Sequence, residues 1–174
     1  YVPDPILNTY DSLWQALKNI GYQEHESLFA FGYNWRFDNN VTAGLLKQKI
    51  AEVKQITGKS KVDLVVHSMG GIVARAYIQS AGYANDVDQL IFLGTPQLGS
   101  PKTFLQYEAV EGFDGKEEII AKIYFGFEAL LSGYTNLVNY VREKVPAVGQ
   151  LLPIYDYLKK NVDGSWVFRT YPTE

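Results

Sequence analysis

The chain has 174 residues, close to one ordinary domain and enough to bury a sizeable core. Sixteen Lys and Arg against 19 Asp and Glu give a formal charge of -3, which provides no broad positive field for a phosphate backbone, so no nucleic-acid partner is expected. The absence of Cys and the presence of only two His, His25 and His67, exclude disulfides, thiol catalysis and Cys-ligated or three-histidine zinc, and no metal or cofactor is expected. No apolar run approaches the roughly 18 residues of a membrane span, and no signal peptide opens the chain.

In chain order, three segments have helical spacing and stop at a glycine, the residue that most easily takes the left-handed conformation past a helix end. The first starts near Thr9 or Asp11, buries Leu13, Trp14, Leu17 and Ile20, and stops at Gly21. The second follows Asn39 and Asn40, buries Leu45, Leu46, Ile50, Val53 and Ile56, and stops at Gly58. The third begins after Ser68, places Ile72, Val73, Ala76 and Tyr77 on one face, and ends near Gly82. Between them Ser27 to Tyr33, Lys61 to His67 and Val87 to Gly94 read as strands. Such alternation argues for a parallel sheet with right-handed crossovers. After Pro101 the pattern turns helical, with Glu117 to Leu131 and Leu137 to Val145 as amphipathic helices. Residues 101–160 thus read as a helical cap inserted after a core part, 1–100, with 161–174 returning toward the core sheet through Trp166 to Thr170. The apolar faces of the cap either pack against the sheet part or form a lid over an acyl chain.

The sharpest local signal is VDLVVHSMGGIVARAYI, Val62 to Ile78: an apolar strand, a short turn of small and polar residues, then a helix. That is the setting of a nucleophile elbow, in which a strained serine is lifted above the sheet toward substrate. Gly70 supplies the small residue two places after Ser68, and Gly71 lets the helix pack closely, while Val66 stands where the usual G-x-S-x-G has its first glycine. The helix N-terminus aims the Met69 N–H at the place where negative charge develops in acyl transfer. An ordinary strand-turn-helix crossover is the bland alternative. A phosphate loop is disfavoured, because neither G-x-G-x-x-G nor a Gly-Lys pair is present.

The elbow, FGYNWRFD (Phe31 to Asp38), IFLGTPQLGSP (Ile91 to Pro101) and QLLPIYDYL (Gln150 to Leu158) occur in the order found in α/β-hydrolase lipases related to lecithin-cholesterol acyltransferase, and the chain resembles that family over nearly its whole length. The resemblance implies a partial α/β-hydrolase fold, with a mostly parallel sheet and a helical cap insertion. It implies a serine hydrolase or acyltransferase acting on lipid or other carboxylic esters through an acyl-enzyme on Ser68, without a cofactor. Carried over by position, Ser68 is the nucleophile and Met69 the oxyanion donor, while Tyr33, Trp35, Thr95 and Pro96 line the substrate pocket at the C-terminal ends of strands. Asn34 replaces an aspartate common in such segments. The resemblance also points to contact with a membrane surface or lipid particle and to an extracellular or membrane-associated setting, although the compartment itself is left open.

Serine attack needs a base, which in this fold follows the serine in the chain. No histidine follows Ser68, so the triad histidine and acid are expected outside the chain. His67 is expected to project away from the serine, and His25 to lie on the surface. An earlier strand is also missing at the front, where YVPDPILN carries two prolines. The expectation is therefore a fragment truncated at both ends, with a gap in its sheet, inactive alone and prone to self-association. The competing reading is a hydrolase-like module without catalysis that binds a lipid, glycan or protein.

Overall fold

The computed structural model describes residues 10–109 and 116–169, so the proline-bearing opening 1–9 lies outside the described residues. The fold is mixed α/β, with a small parallel sheet and several helices. The first helix, α1 (Asp11–Asn19), ends at Gly21 with φ +106. Leu13, Trp14 and Leu17 share its inner face as their spacing predicts, but all three are half-buried and Ile20 is exposed, so α1 lies on the surface. The second helix, α2 (Asn39–Thr57), is capped by Asp38, whose carboxylate accepts the Asn40 N–H at 2.7 Å, and it stops at Gly58 in the left-handed conformation. Leu46 and Ile50 are buried, together with Asn39, Thr42 and Ala43, whereas Leu45 and Ile56 face solvent. The buried stripe is therefore narrower, and turned toward smaller residues, than the apolar spacing predicts.

Strands β1 (Val62–His67) and β2 (Val87–Leu93) pair in parallel, joined through α3 (Gly70–Gln79). After a register shift between Val62 and Leu64 the ladder is regular, with Val66 paired to Phe92 and His67 to Leu93, and it runs to the edge of the turn. Alternation along β1 turns Val62, Leu64 and Val66 toward a core of Ala43, Leu46, Ile50, Val73, Ala74, Tyr77 and Val87. The opposite sheet face leaves Val65 and Ile91 exposed. At the lower end, buried Asp86 accepts from the Tyr77 hydroxyl at 2.6 Å and pairs with Lys54 at 3.3 Å, fastening α3 and α2 to the start of β2.

The segment Ser27 to Tyr33 does not form the expected strand: beyond an isolated bridge between Glu24 and Leu28 it has no sheet partner. Its apolar residues still pack as a strand would place them. Phe31 and Tyr33, two apart, stack at 5.5 Å and lie against the core. A strand exists only where a neighbour completes its hydrogen bonds, and no such neighbour lies between this segment and β1 among the described residues.

The stretch after Pro101 folds as α4 (Lys102–Ala109), α5 (Lys116–Leu131), α6 (Leu137–Lys144) and α7 (Pro146–Gln150). These helices close a second core from Phe125, Ala129, Tyr140, Val141, Val145 and Val148. Among the described side chains of α5, Phe125 and Ala129 are buried, whereas Ile119, Ile123, Phe127, Leu130 and Leu131 are exposed, Leu130 at 73%. Trp166 does lie in a strand, but β4 (Ser165–Arg169) folds back antiparallel on β3 (Leu158–Val162) and does not join β1 and β2. The turn at Asp163 and Gly164, both with positive φ, explains this: a two-residue left-handed turn returns the chain on itself locally.

Candidate active site

The turn after β1 stands at the C-terminal edge of the parallel sheet, where open α/β sheets have their crevice. Ser68 has φ +51, a left-handed conformation that costs a non-glycine residue of the order of 1 kcal/mol and concentrates at functional sites. The strand holds it there: the Ser68 N–H donates to the Leu93 carbonyl at 3.0 Å, and its own carbonyl accepts the Gly71 N–H at 3.1 Å. Met69 follows in helical conformation as the residue that opens α3. Its carbonyl accepts from Ile72 and Val73, while among the described residues its N–H and that of Gly70 have no backbone acceptor. N–H groups at a helix N-terminus without an intrahelical acceptor favour a nearby negative charge.

The helix approaches the sheet at Gly71. A Cβ there would stand 2.0 Å from Thr95 Oγ1, 2.5 Å from Thr95 Cγ2 and 2.8 Å from Phe92 Cδ1, whereas one on Gly70 would meet only the Tyr33 hydroxyl, at 3.9 Å. Space at the elbow is thus governed by Gly71, and Gly70 looks onto the site. Thr95 accordingly packs beneath α3, with a buried Oγ1 that has no hydrogen-bond partner among the described residues. Its neighbour Pro96 is half-buried, and its carbonyl accepts the Gly99 N–H at 3.0 Å. Tyr33 is half-buried beside the first turn of α3. Its hydroxyl is held above the ordinary tyrosine range, first by burial and then by neighbouring Tyr10. Trp35 is 43% exposed and meets Phe125 of α5 edge to face at 5.9 Å.

Neither histidine is bonded to Ser68. His67 is exposed, with its Nδ1 sharing a 3.1 Å hydrogen bond with the Tyr10 hydroxyl. His25 occupies a left-handed turn and lines a cavity of about 90 Å³ with Trp14, Glu24, Leu28 and Lys49. The Glu24 carboxyl is held below the usual carboxylate range, first by the Trp14 indole and next by Lys18. Among the described residues no group of three or more His, Asp or Glu is arranged to hold a metal ion.

Contacts between distant segments build the surroundings of the turn. Arg75 of α3 donates to the Gln97 side chain at 3.0 Å. Ile154 and Ser100 donate backbone bonds to Leu98 and Leu151 at 3.0 and 2.8 Å, and a Cβ on Gly99 would come within 2.4 Å of the Leu152 carbonyl. Gln150 joins Asp38 at 2.7 Å through its Nε2 and receives the Asn39 N–H at 2.8 Å on its Oε1. Arg36, oriented by Asn34 at 3.0 Å, donates to the Tyr124 hydroxyl and stands 3.9 Å from Glu128. The four segments quoted from the sequence therefore converge on one edge of the sheet.

The sequence profile of the lecithin:cholesterol acyltransferase family matches residues 1–114. The chain belongs to the lecithin:cholesterol acyltransferase family. It is similar to phospholipase A(1) LCAT3 of Arabidopsis thaliana, 28% identical over 96 residues that cover 53% of this chain and 22% of that protein. Lecithin-cholesterol acyltransferase-like 4 of the same plant is 29% identical over 85 residues, 47% of this chain and 16% of that relative. An uncharacterized protein of Saccharomyces cerevisiae is 27% identical over 99 residues, 55% of this chain and 15% of the yeast protein. The matches thus span between 15% and 22% of the curated relatives' own length. Sequence reasoning missed the Asp38–Gln150 and Arg36–Tyr124 links. The aspartate just before the Asn39 helix start signals the cap of α2 and not its Gln150 partner, which is 112 positions away, and the second link pairs residues 88 positions apart.

Proposed function

We propose that this family member is a serine hydrolase or acyltransferase of the α/β-hydrolase type that acts on lipid esters, with Ser68 as nucleophile. The carrying observation is the left-handed Ser68 at the end of a parallel strand, directly before N–H groups at the start of α3 that have no backbone acceptor among the described residues. In the proposed reaction Ser68 Oγ bonds to the ester carbonyl carbon as its proton passes to a general base, and the carbonyl π electrons move onto oxygen. The Met69 N–H stabilises that oxyanion. Collapse expels the alcohol, which takes up the proton and leaves an acyl-serine for water or an acceptor alcohol to cleave. His67 is engaged by Tyr10, so we assign the base to sequence beyond the residues described. Tyr33, Trp35, Thr95 and Pro96 are assigned to the pocket wall, with Thr95 acting from beneath α3. Phospholipase activity in a named relative supports a lipid ester as substrate.

The division into a core part at 1–100 and a cap at 101–160 belongs to the same proposal, supported by the separate apolar cluster of α4 to α7, whereas the return expected of 161–174 is not proposed, because β4 pairs with β3. The exposed stripe of Ile119, Ile123, Phe127, Leu130 and Leu131 supports contact of that cap with a lipid surface or a second copy of the chain. Light scattering at several concentrations, with and without phosphatidylcholine vesicles, separates the two. The catalytic assignment is tested by labelling the full-length protein with a fluorophosphonate: Ser68→Ala is expected to abolish labelling with the thermal midpoint nearly unchanged. Labelling that persists in the variant overturns it.

A further inference from the structure

Tyr33 differs from several other tyrosines in what its hydroxyl lacks, a lack it shares among the described residues with the buried hydroxyl of Tyr157. The Tyr77 hydroxyl donates to Asp86, that of Tyr134 to Glu143, that of Tyr10 meets His67, and that of Tyr124 receives Arg36. Among the described residues the Tyr33 hydroxyl has no hydrogen-bond partner, although burial is the main cause that holds its ionisation above the ordinary range. The oxygen itself is open enough for water or a substrate oxygen to reach it and complete its hydrogen bonding. Its ring is fixed, because stacking on Phe31 and packing against the core leave the phenol oxygen as the end that projects toward α3. That end lies 3.9 Å from where Gly70 would carry a Cβ, two residues beyond Ser68. Gly70 has no side chain to stand between the hydroxyl and the N–H groups at the start of the helix.

We propose that Tyr33 is a catalytic hydrogen-bond donor, its hydroxyl joining the Met69 N–H on the carbonyl oxygen of the substrate as Ser68 attacks. This rests on the reading of Ser68 as nucleophile and goes beyond a wall of the pocket. The phenol donates a hydrogen bond and keeps its proton throughout, so the bond changes at the ester are those of acyl transfer alone. A donor aimed where charge develops acts on the transition state more than on the bound ester, so its loss falls on kcat. The raised ionisation keeps it a donor through neutral and mildly alkaline pH.

The test uses the full-length protein and a short p-nitrophenyl ester. Tyr33→Phe keeps the ring and its stacking, and is expected to lower kcat by about 10- to 100-fold, with KM within about twofold and a slower fluorophosphonate reaction. A rise in KM with kcat unchanged, or no change in either, overturns the proposal. Where the Phe variant fails to fold, fluorotyrosine at position 33 replaces it: the lowered phenol ionisation is expected to carry the alkaline limb of the kcat profile to lower pH, and an unmoved limb overturns the role. Ser68→Ala separates the two readings. Labelling that survives in S68A removes the nucleophile and the Tyr33 role together, whereas loss of labelling in S68A beside a fully active Y33F removes the Tyr33 role alone.

Discussion

Gly71→Ala puts one methyl group where α3 crosses the end of β2, and the structure sets its cost. The new Cβ would lie 2.0 and 2.5 Å from the two γ atoms of Thr95 and 2.8 Å from the Phe92 ring, all closer than carbon and oxygen tolerate. Rotation of Thr95 offers no escape. Its two γ atoms fill two of three staggered positions, so any rotamer leaves at least one of the two colliding positions occupied. The helix must therefore move off the sheet or the pair must strain, at about 1–3 kcal/mol as for other overpacked cores. Thr95→Ala removes both γ atoms together with a buried hydroxyl that has no partner among the described residues, so alone it is expected to cost less than about 1 kcal/mol. The double variant should then recover most of the loss, a coupling of about 1–2 kcal/mol. Urea denaturation followed by tryptophan fluorescence reads all four proteins. Gly44→Ala is the control, since a Cβ there meets nothing within 4 Å on α2, and it is expected to stabilise by about 0.5–1 kcal/mol. If Gly71→Ala behaves like Gly44→Ala, or Thr95→Ala fails to rescue it, the close approach assigned to Gly71 is wrong.

The Tyr77 phenol is pushed up to about 12, first by burial and next by its hydrogen bond to Asp86, against about 10 in an unfolded chain. The folded state holds this proton more tightly, so its contribution is whole below about pH 10 and is lost as pH rises toward about 12, at most about 3 kcal/mol. Denaturation at stepped alkaline pH is expected to show that decline in the wild type and a flatter one in Tyr77→Phe, and equal slopes would count against the Tyr77–Asp86 bond. Asp38→Ala removes the cap of α2 and the bond from Gln150, with an expected loss of about 1–2 kcal/mol. Asp38→Ser, which keeps a capping oxygen, should recover part of this in thermal melts, and a neutral Asp38→Ala would show that the helix start is held by other contacts.

Much of the molecule was legible because its signals are local. A glycine past the last helical turn ends α1 and α2 at Gly21 and Gly58, since only a residue without Cβ takes that conformation freely. The run from Val62 to His67, a turn, and then Gly70 to Gln79 is the observed strand, turn and helix, because an apolar β-branched run and a helical stripe have different periods. Ser68 was singled out from the same few residues, and its left-handed backbone is the local geometry such a turn requires.

Tertiary structure decided whatever depends on a partner distant in the chain. Residues 27–33 have the composition of a strand and pack their alternate side chains accordingly, yet among the described residues no neighbour supplies their ladder, and β4 pairs with β3 because a tight turn offers a nearer partner than the sheet. The same holds for burial: α5 is apolar at helical spacing all along, but among its described side chains Phe125 and Ala129 are the buried ones, packed against other helices. Periodicity names a face, and covering it takes another surface. That Gly71 and not Gly70 marks the close crossing, and that the Tyr33 hydroxyl stops beside Gly70, are facts about distances between segments that sequence spacing alone does not contain.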